Sequence, residues 1–100
     1  MEIREMLDKT EILAQLAEEA AELAQAALKL RRAIDGKNPT PKSIAECEVA
    51  LDEEIADVEL CLCLLGFASD EHINTQSLIM FHKEVRWLSR IREIKEESEC

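Results

Sequence analysis

The chain has 100 residues, enough for one domain whose hydrophobic core is adequate but not generous. Its formal net charge of −10 excludes nucleic-acid backbones and anionic membrane surfaces as main partners, and no apolar run approaches the roughly 18 residues that span a bilayer. Two Gly, two Pro and 3% aromatics beside abundant Ala, Leu, Glu and Ile predict an all-α fold.

Three long helical segments and two short connectors are expected in chain order. The first segment runs from near the N-terminus to Ile34. A break at Asp8-Lys9-Thr10 leaves a possible short N-terminal helix, with Thr10 placed to cap the main one. Asp35-Gly36-Lys37-Asn38-Pro39-Thr40-Pro41 ends it, Gly36 serving as C-cap and the prolines barring continuation. Ser43 and Glu46 stand at capping-box spacing and start the second helix, which runs to about Leu65. Gly66 to Thr75 holds Ser, Asp and Asn and reads as a connector. The last helix spans about Gln76 to Ile94, before a charged tail from Lys95 that frays. No linker is long enough to divide the chain. Residues 1–100 therefore read as one small helical bundle that completes its core by oligomerisation, as a homodimer or homotetramer. The N-terminus, Met1-Glu2-Ile3-Arg4-Glu5, does not resemble a secretion signal, so a cytoplasmic location is expected.

The four cysteines do not form a metal motif. Cys61 and Cys63 are two apart on a helix and point to different sides, and no Cys-x-x-Cys pair exists. Buried reduced thiols are the expected state. His72 and His82 lack metal-motif partners. Neither follows a Glu at the three-residue spacing of carboxylate-bridged di-iron bundles.

The chemistry lies in two acidic clusters, Glu18-Glu19-Ala20-Ala21-Glu22 and Glu53-Glu54-Ile55-Ala56-Asp57. Carboxylates three and four residues apart share a helix face, so each cluster can present two oxygen ligands together. The expected core seams are Leu13, Leu16, Ala20, Leu23, Ala27, Leu30 and Ile34 on the first helix, and Ile44, Leu51, Ile55, Val58, Leu62 and Leu65 on the second. At about 100° per residue, Glu19 and Glu22 fall about 65° and 125° to one side of the first seam. Glu54 and Asp57 fall about 70° and 130° to the same side of the second, while Glu18 and Glu53 point away from the core. Acidic runs on helices are usually solvated faces. Here no basic residue occurs between Ser43 and Phe67, and the bases nearest the first cluster are Lys9 and Lys29. Four carboxylates without countercharges, on two matched faces, suit a hard divalent cation such as Mg²⁺ or Mn²⁺.

With this order and context, the two motifs resemble the Glu-x-x-Glu and Glu-x-x-Asp pattern of MazG-like nucleoside triphosphate pyrophosphohydrolases, over about Glu11 to Arg92. The resemblance implies an all-α enzyme that hydrolyses a nucleoside triphosphate to the monophosphate and pyrophosphate. It implies Glu19, Glu22, Glu54 and Asp57 as metal ligands. One of them would act as general base; Glu22 is the candidate by position, with the choice among the four open. Lys83 and Arg90 match the family's Lys and Arg on the last helix, and Trp87 stands where the family has Asn.

The core seam of that helix is expected to be Leu78, Phe81, Val85 and Leu88. Lys83, Trp87, Arg90 and Ile94 form a second stripe, suited to phosphate contacts through Lys83 and Arg90 and to interface or core packing by Trp87, with a nucleobase platform as the lesser use. The competing function is a non-catalytic helical oligomer that serves as a protein-binding or regulatory module.

Overall fold

The computed structural model describes residues 2–36 and 41–99, all helix and turn among them. The elements are α1 (Ile3–Met6), α2 (Lys9–Asp35), α3 (Ile44–Leu64) and α4 (Asp70–Glu99), so the all-α expectation holds. They fall into two compact units, Met1–Phe67 and Ala68–Cys100. No helix of the described residues is long and apolar enough to cross a membrane.

Local chemistry sets the helix ends. Asp8, not Thr10, is the N-cap of α2: its carboxylate accepts the Glu11 N–H at 2.9 Å. Thr10 lies inside the helix and donates its hydroxyl to the same Asp8 oxygen at 2.6 Å. These two hydrogen bonds, Thr10's first, hold the Asp8 carboxyl below its usual 3.8. Gly36 closes α2 in the left-handed conformation (φ 67°), its N–H returning to the Arg32 carbonyl at 3.0 Å. Lys37 to Thr40, in the middle of the expected connector, lie outside the described residues. Ser43 and Glu46 form both halves of a capping box at the start of α3. The helix stops in a Schellman motif, with the Phe67 N–H on the Leu62 carbonyl (2.9 Å) and the Gly66 N–H on Cys63 (3.1 Å).

In the first unit, α2 and α3 form an antiparallel hairpin, and Arg4 of α1 donates to the Cys63 carbonyl at 2.9 Å, tying the chain's start to the end of α3. Most residues with little exposure step by alternating fours and threes: Ile12, Leu16, Glu19, Leu23, Ala26, Leu30 and Ala33 on α2, and Cys47, Leu51, Glu54, Val58, Cys61 and Leu65 from α3 to its C-cap, with Arg32, Ala50, Leu64 and the expected Leu62 partly covered beside them. Ile12 (4% exposed), Ala26 (7%), Cys47 (2%) and Cys61 (5%) are the buried ones. This phase corrects the expected seams. Leu16, Leu23 and Leu30 belong to both tracks, but Leu13 and Ile34 are 44% and 63% exposed, and on α3 Ile44 and Ile55 also face outward. Small residues at Ala26 and Cys47 let the helix backbones approach, and the seam rotates to bring them inside. Its consequence is chemical. Glu19 and Glu54, expected well to the side of the seams, stand within them.

The second unit is α4, 30 residues and about 45 Å long. It begins at Asp70 rather than near Gln76, because the polar residues of the expected connector serve the helix. Ser69 accepts the Ile73 N–H through its carbonyl (2.8 Å) and the His72 N–H through its hydroxyl (3.4 Å). Thr75 turns its hydroxyl back onto the Glu71 carbonyl at 3.1 Å. The expected fraying tail is helical through Glu99. No residue of α4 is buried, so the expected core seam of Leu78, Phe81, Val85 and Leu88 is exposed.

Candidate metal centre

Glu19 and Glu54 come from the middle of the two seams, between the buried pairs at either end of the hairpin. Glu22, one turn beyond Glu19, stands exposed beside them. One carboxylate oxygen from each of the three lies within 4.8 Å of the others. The Gln15 amide donates to Glu19 Oε1 at 2.8 Å and orients that side chain. Glu19 Oε2 and Glu54 Oε2 are buried without a hydrogen-bond partner. No ion pair among the described residues involves any of the three carboxylates.

Leaving a buried acceptor unsatisfied costs on the order of 1–3 kcal/mol, more when it carries charge. Two such oxygens, on carboxylates that gather with a third, form a donor set whose chemistry fits a hard divalent ion. Distance agrees. Three oxygens within 4.8 Å of one another lie no more than about 2.8 Å from a common centre, so each needs to move by less than about 1 Å to reach the roughly 2.1 Å of an Mg²⁺ bond.

Of the four expected ligands, the structure thus gathers Glu19, Glu22 and Glu54. Asp57, one turn beyond Glu54, is exposed and outside this group of three. Its charge is still felt nearby. Burial, then Glu19, then Asp57 push the Cys61 thiol up from its ordinary value of 9.0, so it stays protonated at neutral pH. Cys47 and Cys61 are the buried reduced thiols expected, but Cys63 is an exposed one, and Cys100 lies outside the described residues. Glu18 and Glu53 are exposed and take no part.

An open cleft of ≈ 320 Å³ adjoins the carboxylates between α2 and α3. Glu22, Ala26 and Lys29 line it from one helix, Cys47 and Glu54 from the other, and Lys42 from just before α3. Lys42, Gln15 and Cys47 were not singled out by the sequence as site residues. The Gln15–Glu19 spacing of four was a usable signal for the hydrogen bond. Lys42 had none, because it reaches the cleft through the pairing of the helices. Lys83, Trp87 and Arg90 belong to the other unit, where they line one exposed face of α4 and Trp87 is 65% exposed. No known family, curated protein or solved structure matches this chain.

Proposed function

We propose that the chain is a divalent-cation-dependent hydrolase that cleaves a nucleoside triphosphate to the monophosphate and pyrophosphate. The observation that carries the metal site is the pair of buried, unpartnered oxygens on Glu19 and Glu54, two carboxylates that gather with Glu22. The reaction rests on the resemblance of the two acidic motifs to MazG-like enzymes. Glu19, Glu22 and Glu54 would hold Mg²⁺ or Mn²⁺, and Asp57, one turn beyond Glu54, is the further ligand that the resemblance implies. When bound, the metal supplies charge neutralisation on phosphate oxygens.

The chain's own residues divide the remaining work. Glu19 is fixed by Gln15 through one oxygen and keeps the other buried and unpartnered, open to a cation. Glu54 enters from the opposite helix, so the site exists only while the hairpin is closed. Glu22 is the exposed member and has free access to water, which suits it to accept a proton from an attacking water at a carboxylate oxygen. Lys83 and Arg90 supply further phosphate contacts and Trp87 a packing surface in this reading, within a homodimer or homotetramer in the cytoplasm.

Metal uptake and turnover test the proposal separately. Purified protein is titrated calorimetrically with Mn²⁺, then incubated with a panel of canonical and modified nucleoside triphosphates and Mg²⁺ while pyrophosphate is measured. Uptake and release both lost in Glu54→Gln are expected. Metal uptake without pyrophosphate release from any substrate rejects the hydrolase and leaves a non-catalytic metal-binding helical module.

A further inference from the structure

We infer that the cleft beside the carboxylates is a subsite for linked phosphates, with Lys29 and Lys42 as its anion-binding end. This inference rests on the metal-site reading above and adds the class of ligand. The cleft is lined by both charges, and their places along the paired helices separate them: Glu22 and Glu54 lie toward the middle of α2 and α3, Lys29 toward the end of α2 and Lys42 just before the start of α3. Ala26 and Cys47 form part of the wall between them, and both are small and uncharged, so space remains. Lys29 follows Glu22 by seven residues, two helical turns, so their Cα atoms lie about 10 Å apart along α2.

Neither lysine is paired with the acids around it, Glu22 and Glu54 across the cleft and Glu46 and Glu53 beside Lys42. Among the described residues no ion pair or side-chain hydrogen bond engages Lys29 or Lys42. Glu46, the acid closest to Lys42 in sequence, is occupied by the Ser43 hydroxyl at 3.1 Å and the Ser43 N–H at 3.4 Å. Lys42 also immediately precedes the N-cap of α3, where the helix dipole adds to its positive charge. Two cations free of ion pairs, on one cleft of a chain with a net charge of −10, are a local exception to the overall field and a place for an anionic group.

The separation selects the ligand. A single phosphate on a carboxylate-held metal leaves the lysines about two turns away and unused. A chain of linked phosphates spans both ends, binding the cation through one group and the ammonium groups through another. The subsite therefore distinguishes an oligophosphate from the monophosphate left after cleavage, without any contact to a base or sugar.

Inorganic tripolyphosphate, pyrophosphate and phosphate are the probes, each titrated calorimetrically into the full chain as its Mn²⁺ complex and again in EDTA. The expected order of affinity is tripolyphosphate, then pyrophosphate, then phosphate. Lys29→Gln with Lys42→Gln is expected to weaken tripolyphosphate by about tenfold, the scale of two part-exposed ion pairs, and to leave Mn²⁺ uptake equal or stronger. Lys29→Arg with Lys42→Arg restores binding. Both lysines are exposed, and unchanged helical circular dichroism confirms that the variants fold. Tripolyphosphate binding indifferent to the Gln pair overturns the subsite and leaves the metal site standing, as does phosphate binding as tightly as tripolyphosphate. No Mn²⁺ uptake by the unmodified chain, with lysine-dependent tripolyphosphate binding in EDTA, overturns the metal reading and keeps the subsite.

Discussion

The α2–α3 hairpin and α4 are both long, charged helical regions with apolar residues at helical spacing, yet they differ in what surrounds those residues. In the hairpin each helix supplies the other's wall. Two carboxylates consequently end up inside a seam, with oxygens that neither water nor a donor reaches. In α4 no residue is buried, and Lys83, Arg86, Trp87 and Arg90 lie on an open surface. A charge pattern becomes a site when a second element fixes its environment. Alone on a helix, the same pattern sets only which side chains share a face.

The largest effect expected concerns the seam carboxylates. If they are kept for a cation, they burden the metal-free hairpin. Replacing both, as Glu19→Leu with Glu54→Leu, removes two orphaned oxygens worth about 1–3 kcal/mol each. The thermal midpoint without metal should rise by about 8 °C or more, since one kcal/mol corresponds to about 4–8 °C at this size. Addition of Mg²⁺ should narrow the difference by raising the unmodified chain alone. At a hundredfold excess over Kd it stabilises the unmodified chain by about 2.7 kcal/mol and does nothing for the double variant. A double variant less stable than the parent in EDTA would mean the carboxylates already have partners, and the physical basis of the metal site fails.

How much of this was legible in the sequence depends on whether a feature is local. The Ser43–Glu46 box and the Gly36 cap follow from side chains bonding their own backbone, and both appear as read. The acidic residues were recognisable by spacing and by the lack of nearby bases. The phase of the seam was not, because Leu16, Leu23 and Leu30 fit two overlapping tracks, and the choice falls to how closely Ala26 and Cys47 let the helices meet. Thr10 and Asp8 both have capping chemistry, and Asp8 prevails because it accepts from Glu11 and Thr10 together. Ser69, Asp70 and Asn74 suit a loop as well as a helix start, so the first turns of α4 were read as connector. Lys42 depends on tertiary pairing alone.

A middle-sized effect separates the two regions at their first turns. Ser43 caps α3 reciprocally with Glu46, whereas the Ser69 hydroxyl meets only the His72 N–H at a long 3.4 Å. Ser43→Ala should cost about 1 kcal/mol, and Ser69→Ala distinctly less. Chemical denaturation followed by circular dichroism measures both. Equal losses would show that the two helix starts are energetically alike and that the hairpin has no special claim to order.

The smallest effect addresses whether α4 contributes to ligand binding, and it can be read without mutation. Trp87 is the chain's one tryptophan and is 65% exposed, so its fluorescence reports on that face of α4 alone. The hairpin supplies carboxylates and two lysines, which suffice for a metal and a phosphate chain but include no aromatic surface. If α4 supplies Lys83 and Arg90 to the same ligand, a nucleoside triphosphate added with Mg²⁺ should shift the Trp87 emission to shorter wavelength and reduce its quenching by iodide. Inorganic tripolyphosphate, which has no base to stack, should produce less of either change. If the two ligands bind by calorimetry and neither alters the emission, recognition belongs to the hairpin, and the stripe on α4 is left for packing between protein surfaces. A response to the nucleotide that Lys83→Gln removes would place the phosphate contact on α4, because that substitution leaves the indole itself in place.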